Sequence, residues 1–205
     1  MQPKFIKNFL ISSISGFSAI FIYICLAIVS WHFYPGFFNP AQNWLSDLGH
    51  IGINSYGSIY YRLAAIIPGI LIILFYLFIY RLIEDNRKKI RIYTWIVKIL
   101  GMFAGFSFII SGIFPINNLP VHSLWSKMMF ISWGTSIIFT GIVWLYKKTT
   151  RRLSIITFII AAVDISSSIF TNIRWLEWIL VALILIYIFI VSTRNLISYK
   201  LFHKK

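Results

Sequence analysis

Ser46, Asp47 and His50 stand together in the stretch NPAQNWLSDLGHIG, Asn39 to Gly52. A hydroxyl, a carboxylate and an imidazole are the groups of nucleophilic acyl transfer. Carboxylates with histidines also form the donor set of zinc or iron. His122 and Glu177 lie in two later polar segments, FPINNLPVHSLWSK and TNIRWLEW, and Asp164 lies inside an apolar run. His50, His122 and Asp47 are therefore the ligands a divalent metal would take, and Ser46, Asp47, His50, His122, Asp164 and Glu177 form the candidate site. The chain has no HxxxH, HExxH or CxxC spacing, no nucleophile elbow and no glycine-rich phosphate loop. Ser, Asp and His adjacent in sequence are also not yet a triad, whose members are set by geometry.

These residues interrupt a chain built for hydrocarbon. Its 205 residues are 59% hydrophobic and 12% charged, against about 25% charged in a soluble domain. Six long apolar runs, about 9–31, 62–82, 92–114, 124–146, 153–171 and 175–194, each suffice to cross ~30 Å of hydrocarbon as a helix. Trp31, Tyr34, Tyr80, Tyr93, Trp125, Trp144, Tyr146, Trp175 and Trp178 mark their ends, the depth that Trp and Tyr favour. The expected fold is all-α: one six-helix transmembrane domain over 1–205, multi-pass in the cell membrane.

Charge sets the expected orientation. The net charge of +14 resides mostly in Lys4 and Lys7, RLIEDNRKKIR (Arg81 to Arg91), KKTTRR (Lys147 to Arg152) and the tail with Arg194, Lys200, Lys204 and Lys205. With six spans these segments share one side, while Arg62, Lys127 and Arg174 alone occupy the other. This is the positive-inside pattern, with both termini cytoplasmic. It accounts for the basic balance through membrane lipids, and nucleic acid is not an expected partner, since the basic loops are short and carry no reading module. The N-terminus reads as a retained first helix, its apolar stretch being too long for a signal peptide. Cys25 lies inside that helix and has no partner for a disulfide. Glu84 and Asp85 fall among cytoplasmic arginines, whereas Asp47, His50, His122, Asp164 and Glu177 converge on the outer half.

Local signals predict a short interfacial helix over 40–48. Asn39 suits its N-cap, Pro40 its first position, Gln42 a capping box and Gly49 its end. Trp44, Leu45 and Leu48 would be buried, and Asn43 and Asp47 would share a face. Each polar residue also has a structural reading. Asp47 would steady the loop or pair with Arg62. His50 and His122 would bond backbone carbonyls, and His32 would anchor at the interface. Glu177 would pair with Arg174. Asp164, on one helical face with Ser167, Ser168 and Thr171, would be buried as an acid or pair with Lys127, Arg62 or His122. Lys98 would snorkel, Pro68 is a kink candidate, and Gly101, Gly105 and Gly112 would let helices pack closely.

Ser46 and His50 form an S-x3-H element similar to one in membrane hydrolases of the alkaline ceramidase and adiponectin-receptor type, whose late HxxxH pair and seventh span are missing here. NWLSDLGHIG, SGIFPINNLPVHSLWSK and IRWLEW together resemble the prokaryotic six-span membrane family catalogued as domain of unknown function 998, itself distantly similar to the Frag/DRAM/Sfk membrane proteins. The resemblance covers nearly the whole chain. It implies that Ser46, Asp47 and Gly49 belong to a first motif, and Gly112, Phe114, Pro115 and His122 to a second. Glu177 falls where the family tends to have Glu-Arg, with Trp178 in place of the Arg. Two functions follow as expectations. One is an outer-mouth site for a metal ion or lipid headgroup, with hydrolysis or headgroup transfer as its chemistry. The other is an accessory subunit of a larger membrane complex, of respiratory or monooxygenase type, in which the polar cluster is structural. A transporter ranks third, because matching broken spans in two halves are not evident.

Overall fold

The computed structural model describes residues 3–79, 87–146, 148–169 and 173–203, with side chains over 7–79, 87–146, 148–166 and 173–200. Tyr80, Glu84, Asp85, Lys147, Thr171, Lys204 and Lys205, with the side chains of Lys4, Ser167, Ser168 and His203, lie outside these residues. Six α-helices follow one another: α1 (Pro3–His32), α2 (Ser58–Phe78), α3 (Lys88–Ile113), α4 (Leu119–Leu145), α5 (Arg151–Ile169) and α6 (Arg174–His203). No strand occurs among the described residues. Five helices, all but α5, are long and apolar enough to cross a membrane. Several run past the apolar stretch that predicted them, α6 by nine residues, because polar residues in water can continue a helix that hydrocarbon has already nucleated.

Successive helices pack side by side, and α6 returns to α1. The core lies where they face inward, with Phe75, Tyr76, Ile137, Trp144, Tyr187 and Val191 all excluded from the surface. Trp144, expected as an end marker, is wholly buried. Helix α2 meets α3 through glycine: a Cβ on Gly69 would fall 2.9 Å from the Gly105 carbonyl, and one on Gly105 the same distance from the Gly69 carbonyl. Gly101 gives room to the Tyr76 ring, and Gly112 lies on Ala65. The expected small-residue packing of Gly101, Gly105 and Gly112 is thus realised against α2, where backbones approach without side chains between them. Pro68 lies buried inside α2. Lys98, expected to snorkel, is buried at 5% exposure, with its ammonium 5.0 Å from the Trp95 ring centre.

The up-and-down order brings the ends of α1, α3 and α5 and the starts of α2, α4 and α6 to one end of the bundle, the site end. There the first connection, residues 33–57, folds over the helices. The helix expected over 40–48 is not formed as one piece. A turn closes on Asn39, whose side-chain oxygen accepts the Ala41 N–H (2.9 Å) and whose carbonyl accepts those of Gln42 and Asn43. The chain then extends at Trp44 and continues as a 3-10 helix, Leu45–Gly49. Side chains cause the break: Asn43 turns back to accept the Asn39 N–H (3.0 Å), and the Asp47 carboxylate takes the Trp44 N–H (2.9 Å). Asn and Asp compete in this way with helical hydrogen bonds. Leu45 and Leu48 are buried as expected, while Trp44 is only half-buried.

Candidate functional site

The start of α6 clasps the first connection. Arg174, Glu177 and Trp178 share one helical face. Arg174 donates to the Gln42 carbonyl (2.6 Å), Trp178 Nε1 donates to the Asn43 carbonyl (3.2 Å), and Glu177 Oε2 accepts both the backbone N–H (3.2 Å) and the hydroxyl (3.3 Å) of Ser46. Glu177 therefore does not serve as the partner of Arg174; both tie down the loop. The Trp178 ring packs edge-on to Trp31 and against Phe38, at 5.9 and 5.5 Å between centres. Trp178 is thus a component of the clasp.

A second fastening went unpredicted. Asn54, wholly buried, donates to the carbonyls of Ser30 (3.1 Å) and Leu48 (2.9 Å) and accepts the Gly57 N–H (3.1 Å). It binds the last turn of α1 to the 3-10 helix and to the start of α2. The only signal in the sequence was an amide among apolar residues.

His122 and Arg62 complete the end of α3. The last carbonyls of a helix lack partners within it. Here Ile110 O accepts the Phe114 N–H (2.9 Å), Ser111 O accepts from His122 Nδ1 (3.1 Å), Gly112 O from Arg62 Nε (3.2 Å) and Ile113 O from Arg62 Nη2 (3.5 Å). Phe114 O also lies 3.0 Å from His122 Nδ1. Two carbonyl oxygens at Nδ1 require a hydrogen there, so neutral His122 must keep its lone pair on Nε2. Nε2 faces the Ser126 hydroxyl at 3.4 Å. The negative end of the α3 dipole favours any positive charge that forms on this ring.

The two sequence motifs, SDLG and GIFP, meet around Gly49. It is buried, and a Cβ there would lie 3.0 Å from the Tyr61 ring and 3.9 Å from Pro115. Pro115 is buried and Phe114 is largely exposed. Between the motifs lies a chamber of about 30 Å³, whose polar lining is Tyr23, Ser46, Tyr61, Arg62, Ser111, His122, Ser126 and Glu177. A second cavity, of about 30 Å³ and lined by Ala19, Pro68, Ile72, Trp133 and Ile188 among others, shares Tyr23, Phe108, Met129 and Val181 with the chamber. Those four residues line both spaces, one polar and one apolar, and are termed the throat. Tyr23 is 5% exposed, and its buried hydroxyl, beside the Tyr61 phenol, makes no hydrogen bond of ordinary geometry among the described residues.

Of the six residues expected at the site, the structure brings Ser46, His122 and Glu177 to this chamber. Asp47, His50 and Asp164 are not in its described lining. Asp47 holds the 3-10 helix through Trp44. Burial raises its pKa, an effect opposed by the Trp44 N–H, the Asn43 amide and the charges of Arg174 and His50. His50 accepts the Ile53 N–H at Nδ1 (3.1 Å) and meets the Asn117 side chain at 3.4 Å. Asp164 is buried against Gly134 of α4. The expected trio of His50, His122 and Asp47 does not form a metal site: no group of three His, Cys, Asp or Glu side chains suited to an ion occurs among the described residues. Asp47 Oδ2 and His50 Nδ1 each accept from a nearby backbone amide. Replacing Asp47 with Ala should cost about 0.5–2 kcal/mol, as loss of a capping acceptor does. Asp47→Asn should retain most of that stability, as thermal melting in detergent will show.

No curated protein and no solved structure matches the chain. A family profile, described as Protein of unknown function (DUF998), matches residues 17–194. That match spans both motifs, the clasp on α6 and the chamber between them, and the chain belongs to this family.

Proposed function

We propose that the protein is a six-span protein of the cell membrane, with both termini cytoplasmic, that binds a membrane lipid at the outer end of the bundle. The chamber takes the polar headgroup and the apolar cavity takes the start of an acyl chain. The observation that carries this reading is the shared throat: a chamber with a cation, a carboxyl group and hydroxyls adjoins an apolar space across four residues that line both. A polar chamber joined to an apolar one is complementary to an amphiphile. The Tyr23 hydroxyl at the throat is a buried donor in need of an acceptor, and an ester or phosphate oxygen supplies one. The described basic residues Lys88, Lys89, Arg91, Arg151, Arg152 and Arg194 belong to the ends of helices remote from the chamber in the up-and-down order, which supports an outward-facing site.

As it stands, the chamber holds roughly two waters, at ~10–15 Å³ each. A headgroup therefore displaces those waters and moves the flexible side chain of Met129. Val181, half-buried at the throat, is the place to test this. Lipid retained through mild detergent purification should fall about tenfold or more in Val181→Phe, the change expected for a loss of 1.4 kcal/mol or more. Val181→Ala should keep its lipid. Equal lipid by mass spectrometry in wild type and Val181→Phe, with both folded, would refute the site.

A further inference from the structure

We infer that Ser126 and His122 form a nucleophile–base dyad that cleaves the acyl ester of a lipid held in the chamber. The inference rests on the lipid-binding reading above and adds a reaction to it. Helical hydroxyls in this chain usually return to their own backbone: Ser132 donates to Met128 O, Thr135 to Ile131 O, Thr140 to Ser136 O and Ser198 to Arg194 O. The Ser126 hydroxyl instead faces His122 Nε2, one turn before it on α4, at 3.4 Å. Both side chains line the chamber. Nucleophile–base contacts of this kind are often loose before substrate binds.

The rest of the arrangement suits the role. A general base needs a fixed tautomer, with its lone pair toward the nucleophile and a group behind it that favours the protonated ring. Ser111 O and Phe114 O, at 3.1 and 3.0 Å from Nδ1, fix the tautomer and stand where a triad has its carboxylate. Arg62 also lines the chamber. Its guanidinium has five N–H donors, of which Gly112 O and Ile113 O take two, and the others are available to an oxyanion.

The atoms balance without a further reagent except water. Ser126 Oγ attacks the acyl carbonyl carbon, and its proton passes to His122 Nε2. The carbon–oxygen bond to the alcohol breaks, and that alcohol leaves with the proton from His122. Water, deprotonated by the same nitrogen, then attacks the acyl-Ser126 ester and releases the carboxylic acid and the serine. The throat points the acyl chain into the apolar cavity, so the substrate class is a long-chain acyl ester.

A long-chain alkyl fluorophosphonate, which phosphonylates activated serines, tests the dyad in the full-length protein. Wild type should be labelled at Ser126, and Ser126→Ala should show background labelling while still folding, as its melting in detergent will show. His122→Gln keeps an amide donor for the Ser111 and Phe114 carbonyls but has no base, and its labelling rate should fall roughly 10²–10⁴-fold. Labelling of wild type and His122→Gln at equal rates, or no labelling of Ser126 in protein that still retains lipid, would overturn the dyad and leave the binding site standing. No loss of lipid from Val181→Phe, together with labelled Ser126, would instead overturn the binding site.

Discussion

His122→Ala is expected to lower the stability of the purified protein by roughly 1–3 kcal/mol, because the part-buried Ser111 carbonyl loses its donor and the more exposed Phe114 carbonyl loses it too. Ser111 O and Phe114 O have no other donor among the described hydrogen bonds. Arg62→Ala should have a similar cost through Gly112 O and Ile113 O. Because both side chains finish the same helix end, the two effects should not add. A double-mutant cycle should give a coupling of about 0.5–3 kcal/mol, as residues of one network do. Membrane hydrogen bonds measured singly are often worth only about 0.6 kcal/mol. A cost near that value for His122→Ala would mean that α3 keeps its end without the histidine. Thermal melting or denaturant unfolding in one detergent, with His122→Gln as the variant that retains a donor, gives the answer.

Glu177→Ala is expected to release the first connection. The carboxyl accepts both polar hydrogens of Ser46, which is 6% exposed. Without it a buried N–H loses its partner, at a cost of about 1–3 kcal/mol. The cost falls on residues 44–50 rather than on the whole bundle, since Arg174 and Trp178 hold the preceding turn by separate bonds. Hydrogen exchange should accelerate at 44–50 and remain slow in the cores of α3 and α4. Glu177→Gln has an oxygen at the same place and should protect the segment nearly as well as wild type. Equal acceleration in the Gln and Ala variants would show that the charge, rather than the acceptor, holds the loop.

These expectations show what the sequence made legible. Hydropathy and the 1.5 Å helical rise suffice to find six helices, because a chain in hydrocarbon has few other ways to satisfy its backbone. Their ends were less legible: α2 starts at Ser58 rather than near 62, since the Asn54–Gly57 turn begins it in a polar segment. The convergence of three connections on one end followed from topology, and Ser46, His122 and Glu177 meet there. Asp47 and His50 were misplaced for a common reason. Spacing brought them near Ser46 along the chain, but each is committed to an amide within a few residues. Such short-range capture depends on backbone angles that residue types alone do not fix. Arg62 and Asn54 were missed as organisers because their partners are carbonyls, and every residue has a carbonyl. His122 carried both of its readings into the structure, bonding backbone carbonyls with one nitrogen and facing a serine with the other.

Lipid occupancy of the chamber is the claim on which the rest depends. It is tested most directly by an experimental density map of the protein in a lipid nanodisc. The account predicts one elongated density, with its head between Glu177, Arg62 and His122 and its tail passing Tyr23 and Val181 toward Trp133 and Ile188. A chamber holding only isolated waters, with lipid confined to the outside of the bundle, would contradict it.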